Sequence, residues 1–214
     1  AFQVSYDKPF FRDQGAGHLL LYERNAILWL EALGLDVAYA TNEDVDRDPA
    51  IFDRAKAYVI TGHDEYWTGA MRTHVDGAVE KGTSLLLLSA NAAYWQARYG
   101  PAADGRERRV VTCFKQDAYI RDPVGPSSDA LTVRFRELQR PRPENALFGV
   151  MFNSRWGQFG FPLAISRTDH WAFEQTGFAA GDTIWRANGY EEDEQVDNGA
   201  SPPGVALLAS SPAL

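Results

Sequence analysis

One cysteine, Cys113, stands in 214 residues. A single thiol excludes an internal disulfide, a cysteine-held zinc site and a CxxC redox pair. Within the VVTCF run it reads as a small apolar strand residue rather than a nucleophile. The chain also lacks any stretch of about 18 apolar residues, so nothing in it reads as a membrane span. No secretory leader is visible, which favours the cytoplasm. The net charge is −8 and the longest basic cluster is Arg106–Arg109, which argues against a nucleic-acid groove. The glycine pattern is incomplete for a dinucleotide loop: Gly15-Ala16-Gly17 has no third glycine and no strand before it. There is no GxSxG elbow, no HExxH and no HxxxH. His18, His74 and His170 are scattered, and His74 reads as a solvated helix residue.

The chain has 45% hydrophobic and 23% charged residues, the balance of an ordinary globular domain with one substantial core. Phe2–Tyr6 reads as a strand. His18–Leu33 reads as an amphipathic helix, with Leu19, Leu20, Ala26, Ile27, Leu30 and Leu33 at three- and four-residue steps and Gly34 closing it. Leu35–Thr41 reads as a second strand followed by an acidic turn, Asn42-Glu43-Asp44. Pro49–Lys56 is a short helix, and the strand after it (Tyr58, Val59, Ile60) is broken by Gly62. Tyr66–Lys81 is a helix ended by Gly82, and Thr83–Ser89 is a continuous apolar run of the kind covered on both faces. Strand and helix thus alternate four times, which predicts a parallel sheet with helices on both sides.

The second half differs. Glycine, proline and polar residues cluster at 100–105, 123–129 and 141–145, with strand-like runs at Arg109–Phe114 and Ala130–Phe135 between them. Phe148–Phe161 is rich in glycine and aromatics, and a helix starts near His170. The expectation is one α/β domain over 1–214: a βα core at 1–99, antiparallel insertions at 100–165, and a return to the core at 166–214. Because it starts and stops in strand-like segments, including Gly204–Ser211, the chain reads as a piece of a longer protein.

In an open parallel sheet, ligands bind beyond the carboxyl ends of the strands. Those ends carry Tyr6-Asp7, Tyr39 with Asn42-Glu43-Asp44, His63-Asp64-Glu65, and Asn91. Phenols, carboxylates, an imidazole and an amide on one rim form a hard, oxygen-rich donor set, better suited to a trivalent or hard divalent ion than to zinc. Each residue also has an ordinary reading. Tyrosine is common in strands, Asp64 can cap the following helix, and single aromatics usually belong to the core.

Four runs together resemble the C-terminal domain of the large subunit of N,N-dimethylformamidase. They are Tyr39-Ala40-Thr41-Asn42-Glu43-Asp44, Gly62-His63-Asp64-Glu65-Tyr66-Trp67, Ser89-Ala90-Asn91-Ala92-Ala93-Tyr94-Trp95 and Gly189-Tyr190-Glu191-Glu192-Asp193. The resemblance runs from about Val4 to the end. It implies a glutamine-amidotransferase-like, flavodoxin-like three-layer α/β fold. Glutamine amidotransferases keep a nucleophilic cysteine after the strand that here runs into Ala90-Asn91, so the thiol mechanism is excluded. The resemblance further implies amide C–N hydrolysis at a mononuclear iron (Fe3+) held by two tyrosines and a glutamate. Glu65 matches the carboxylate ligand and His63 the catalytic histidine, while Asn91 and Glu191 match supporting or acid–base positions. Tyr39 is the preferred phenolate ligand, and the second is Tyr6 or Tyr22. Asp64 stands where relatives often carry proline. Glu191 or His63 would then move the proton, with Asn91 on the developing oxyanion. Tyr66, Trp67, Trp95 and Trp156 are candidates for an apolar wall. The expected partner is a small amide, with a homo-oligomer or a small subunit left open. The alternatives are a binding module without catalysis on the same fold and an amidase or esterase that uses another metal.

Overall fold

A computed structural model describes residues 1–9, 15, 17–156, 161–187, 189 and 191–211. In chain order the strands and α-helices are β1 (Gln3–Ser5), α1 (Arg24–Ala32), α2 (Asn42–Arg47), β2 (Ala57–Thr61), β3 (Tyr66–Thr68), α3 (Gly69–Glu80), β4 (Ser84–Leu88), β5 (Trp95–Gly100), β6 (Val110–Thr112), α4 (Ala118–Arg121), α5 (Asn145–Phe148), β7 (Met151–Trp156), β8 (Leu163–Ile165), β9 (Thr183–Ile184), β10 (Glu191–Glu194) and β11 (Ala209–Ser210). The architecture is mixed α/β. None of the described helices is long and apolar enough to cross a membrane.

Among the described residues parallel pairing is confined to two short ladders. β2 pairs with β4, Ala57 facing Ser84 through Thr61 facing Leu88. β3 then pairs with β5, Tyr66 facing Trp95 through Thr68 facing Ala97. β5 continues into an antiparallel sheet of order β1-β6-β5-β3. The antiparallel pairs β7–β10 and β8–β9 with β11 make up the second half.

Several sequence expectations are corrected. The single four-stranded parallel sheet is absent among the described residues, because its first strand pairs antiparallel with β6 and its second does not pair. Segment 35–41 carries the alternation of a strand but meets no partner backbone, so it remains irregular. The acidic turn after it is helix α2: the Thr41 hydroxyl accepts from Asp44 N–H and the Asp44 carboxylate accepts from Thr41 N–H, a reciprocal cap. The helix expected at Tyr66 begins three residues later. Thr68, not Asp64, is its cap, accepting from Met71 N–H at 3.1 Å. Ala130–Phe135 contributes only an isolated bridge, Trp95 to Arg134. The first helix opens with a π-helical turn, Leu19–Glu23, and neither that turn nor α1 has a buried residue. β4 is covered on one face only: Leu86 and Leu88 remain exposed while Leu85 and Leu87 pack against the core. His74 is half-buried on α3, with Nδ1 2.7 Å from the Val45 carbonyl.

The main core lies where α3 covers the ladders. Trp67, Met71, Val75, Val133 and Phe135 are fully buried there. Arg72 is 2% exposed in the same layer. Its guanidinium donates to Asp76 Oδ1 at 2.9 Å and to the Arg142 and Pro143 carbonyls, and it lies over the Phe135 ring. These bonds staple the loop before α5 to α3. Arg72→Ala removes the donors to Asp76 and to the Arg142 carbonyl and one of two donors to the Pro143 carbonyl, which keeps the Ala146 N–H, and is expected to cost about 2–3 kcal/mol. Urea unfolding checks this as a lower midpoint with an unchanged m-value.

Candidate functional site

The site forms where the chain passes from the first parallel ladder to the second. Partner residues are offset by 27 in the first (Ala57, Ser84) and by 29 in the second (Tyr66, Trp95). The β4–β5 connection therefore carries two residues more than the β2–β3 connection. Left-handed turns absorb the surplus: Asn91 has φ 55° and Ala93 φ 50°. Gly62 bends the other connection at φ 73°, where an added Cβ would lie 2.9 Å from the Glu23 side chain. Backbone bonds tie the two connections together. Ala93 N–H donates to the Asp64 carbonyl, and Tyr94 and Trp95 N–H both donate to the Glu65 carbonyl.

Four side chains named from sequence meet here. His63 Nε2 lies 3.2 Å from Glu191 Oε2 and 3.9 Å from Glu65 Oε2. Asn91 Nδ2 donates to Glu191 Oε1 at 3.2 Å. Glu191, on β10, is thereby engaged at both oxygens, although 100 residues separate it from Asn91. Asn91 is 3% exposed, and its Oδ1 has no hydrogen-bond partner among the described residues.

The phenols divide differently. Tyr6 Oη lies 3.3 Å from Tyr99 Oη, and both rings line a cavity of about 350 Å3 that also has His63, Glu65 and Tyr66 on its wall. Tyr39 does not line it. That ring is 60% exposed, and its hydroxyl donates to Glu31 Oε1 at 2.6 Å. Tyr22 stands edge-on to His18, with its Cβ against Gly62. Of the expected aromatic wall, Tyr66 lines the cavity, while Trp67 and Trp95 are buried in the two cores. The Trp156 side chain and Tyr190 lie outside the described residues. Cys113 is buried, and burial pushes its thiol up to about 11, consistent with a structural residue.

Electrostatics in this region are dominated by buried acids. Burial raises the Glu65 carboxyl above its usual range, His63 and Lys115 work against that rise, and Glu191 adds to it. Burial also raises Asp64, opposed by the Asn42 amide that donates to it at 2.7 Å. Asp193 accepts the Asn91 backbone N–H at 2.9 Å and is pushed up to about 6, chiefly by burial. Burial raises the phenols Tyr66 and Tyr99 as well. Among the described residues no three His, Cys, Asp or Glu side chains are placed to hold a metal ion by themselves. A carboxylate with two phenols, Glu65 with Tyr6 and Tyr99, is the donor set that lines one cavity, and its hard oxygens suit a highly charged cation. A larger cavity of about 480 Å3, near Lys56, His74 and Lys81, shares no lining residue with this one.

Sequence reading missed Tyr99, Lys115 and Asp193. Alternation along β5 sets Trp95, Ala97 and Tyr99 on one face, a signal that could have found Tyr99. Asp193 follows Glu191 on β10 at the same two-residue period. Lys115 has no sequence signal, since its place depends on a left-handed backbone, φ 57°.

The site is thus an acid–imidazole–amide cluster, largely enclosed, on a mixed α/β scaffold. The chain belongs to the N,N-dimethylformamidase beta subunit-like, C-terminal family, whose model matches residues 1–214. No curated protein matches it.

Asp193 sets a pH test. Its folded-state value, about 6, lies above the ordinary 3.8, so the folded protein holds this proton more tightly than the unfolded chain. That contribution to stability is complete below about pH 4 and is lost as the pH rises through about 6. Asn in its place still accepts the Asn91 N–H without titrating. Asp193→Asn should gain about 2 kcal/mol relative to wild type between pH 4 and pH 7, read from urea midpoints at the two pH values.

Proposed function

We propose that the chain carries the hydrolytic centre of an amide hydrolase that cleaves a C–N bond with the help of a bound iron ion. The observation that carries this reading is the convergence of His63, Glu191 and Asn91 beside Glu65, in a chain of the dimethylformamidase-like family. Glu65 and Tyr6 would hold the ion, with Tyr99 rather than Tyr39 as the second phenol. When bound, such an ion supplies Lewis acidity at the amide carbonyl and offsets the buried negative charge. The glutamine-amidotransferase-like relation of the scaffold also belongs to this proposal. The β2–α3–β4 unit, a parallel pair joined through a helix, supports it. The family description names a beta subunit, from which we infer assembly with a further subunit.

The residues divide the work as follows. Asn91 donates to Oε1 of Glu191 and fixes its carboxylate, leaving Oε2 facing His63. Glu191 takes a proton from the attacking water as the C–O bond forms. His63, 3.2 Å away, is within proton-transfer reach and passes that proton to the nitrogen as the C–N bond breaks. The products are a carboxylic acid and an amine.

The purified protein should contain iron and be purple from phenolate coordination. Glu65→Ala should lose both metal and colour, whereas Glu191→Gln and His63→Ala should keep them and lose about 10²–10⁴-fold in kcat. Tyr99→Phe should weaken and shift the absorption band, while Tyr39→Phe should change neither colour nor rate. Metal analysis, a visible spectrum and hydrolysis of small formamides check all five variants. Iron retained by Glu65→Ala, or a band that responds to Tyr39→Phe and not to Tyr99→Phe, defeats the ligand assignment.

A further inference from the structure

Amide hydrolysis develops negative charge on the carbonyl oxygen, and a hydrogen-bond donor placed there shares that charge with the proposed ion. The Asn91 amide nitrogen already donates to Glu191. Another donor stands on the cavity wall. Lys115 lines the cavity, with its ammonium 4.9 Å from the centre of the Tyr66 ring and 5.6 Å from that of Trp95. No described carboxylate lies within ion-pair distance of it, in a protein where most other buried or half-buried cations have one. Its backbone adopts a left-handed conformation uncommon for a residue with a long side chain, and its N–H donates to the Thr132 carbonyl at 3.0 Å. The preceding N–H, of Phe114, donates to the Thr132 hydroxyl. The strained turn is thus held at two points. Cation–π contact with two rings steadies the ammonium without using its three hydrogen-bond donors. A cation held by ring faces and left unpaired beside an acid–base cluster is placed to take a charged oxygen.

Resting on the amide-hydrolase reading, we propose that Lys115 is the oxygen-binding donor of this site: its ammonium hydrogen-bonds the oxyanion formed from the carbonyl and, after cleavage, the carboxylate product. The proton that His63 carries plays no part in this contact. Lys115 transfers no proton, and its contribution grows as the oxygen gains charge.

Acetate, a carboxylate, and acetamide, its neutral counterpart, probe this without relying on turnover. Affinities are read by ligand-observed NMR titration of wild type, Lys115→Met and Lys115→Asn, with thermal unfolding as the check of fold. Asparagine tolerates the left-handed backbone and removes the charge, so it serves if the methionine variant fails to fold. Wild type should bind acetate, and both variants should bind it at least about tenfold more weakly, the loss expected for one charged hydrogen bond, while acetamide affinity shifts by less than about threefold. Unchanged acetate binding in a folded variant overturns the proposal, as does an equal loss of acetate and acetamide, which would mark Lys115 as a structural residue. Hydrolysis of formamides is assayed separately. An inactive wild type that still binds acetate through Lys115 defeats the amidase reading and leaves the anion site standing.

Discussion

The site depends on a mismatch of two residues between neighbouring strands. Two parallel ladders follow one another along the same pair of chain segments, and the second chain is longer between them by two residues. A parallel pair cannot absorb that surplus within its hydrogen-bond ladder, so the extra length leaves the sheet as a turn. The turn places Asn91 and Ala93 in left-handed backbone, which costs of order 1 kcal/mol each for residues with a Cβ. Hydrogen bonds from Ala93, Tyr94 and Trp95 to the facing connection offset that cost, as does Asp193 at the Asn91 N–H. The same bonds fix the backbone of Asp64 and Glu65.

The charge pattern follows from that placement. The two connections meet β10, and the polar side chains enclosed between them include four acids: Asp64 and Glu65 of the first connection, Glu191 and Asp193 of β10. Elsewhere the chain neutralises buried acids with arginine, as in Arg98 with Asp122 and Arg136 with Glu144. At Glu65 the only charge partners that oppose the effect of burial are His63 and Lys115, with no arginine among them. Burying acids with so little compensation is costly. This is the physical argument behind the proposal of a cation among the oxygens of Glu65, Tyr6 and Tyr99.

The sequence was legible where chemistry and backbone geometry coincide. Gly62 must turn left-handed, and the His-Asp-Glu that follows must therefore leave the strand. Asn91 ends an apolar run that could only be a strand. Both inferences needed local rules alone. Tyr39 shows the opposite case. Leu35–Thr41 alternates like a strand, but alternation states a preference for a pleated, half-covered surface and not the presence of a neighbour. Without a paired backbone the segment is not delivered to a rim, and its phenol bonds Glu31 instead. Glu191 was found through the resemblance, since no local pattern links residues 100 positions apart. Lys115 could not be read at all, because its direction is set by a φ angle and by two rings from different strands.

Uneven burial separates the surroundings of the proposed site from the rest of the architecture. On the α3 side, Trp67 and Met71 are fully enclosed and Trp95 is 4% exposed, so both connections leave the site into rigid structure. On the α1 side, Leu28, Trp29 and Leu33 are exposed, as are Leu86 and Leu88 of β4. The apolar periodicity of 18–33 correctly predicted a helix, but periodicity does not say what a helix packs against. A rule that parallel strands are covered on both faces describes complete sheets, and a two-stranded ladder does not satisfy it. Catalytic groups need a scaffold that holds them to within about half an ångström. The enclosed half meets that need for the proposed groups, since the turns that carry His63, Glu65 and Asn91 run directly into the buried Trp67 and Trp95.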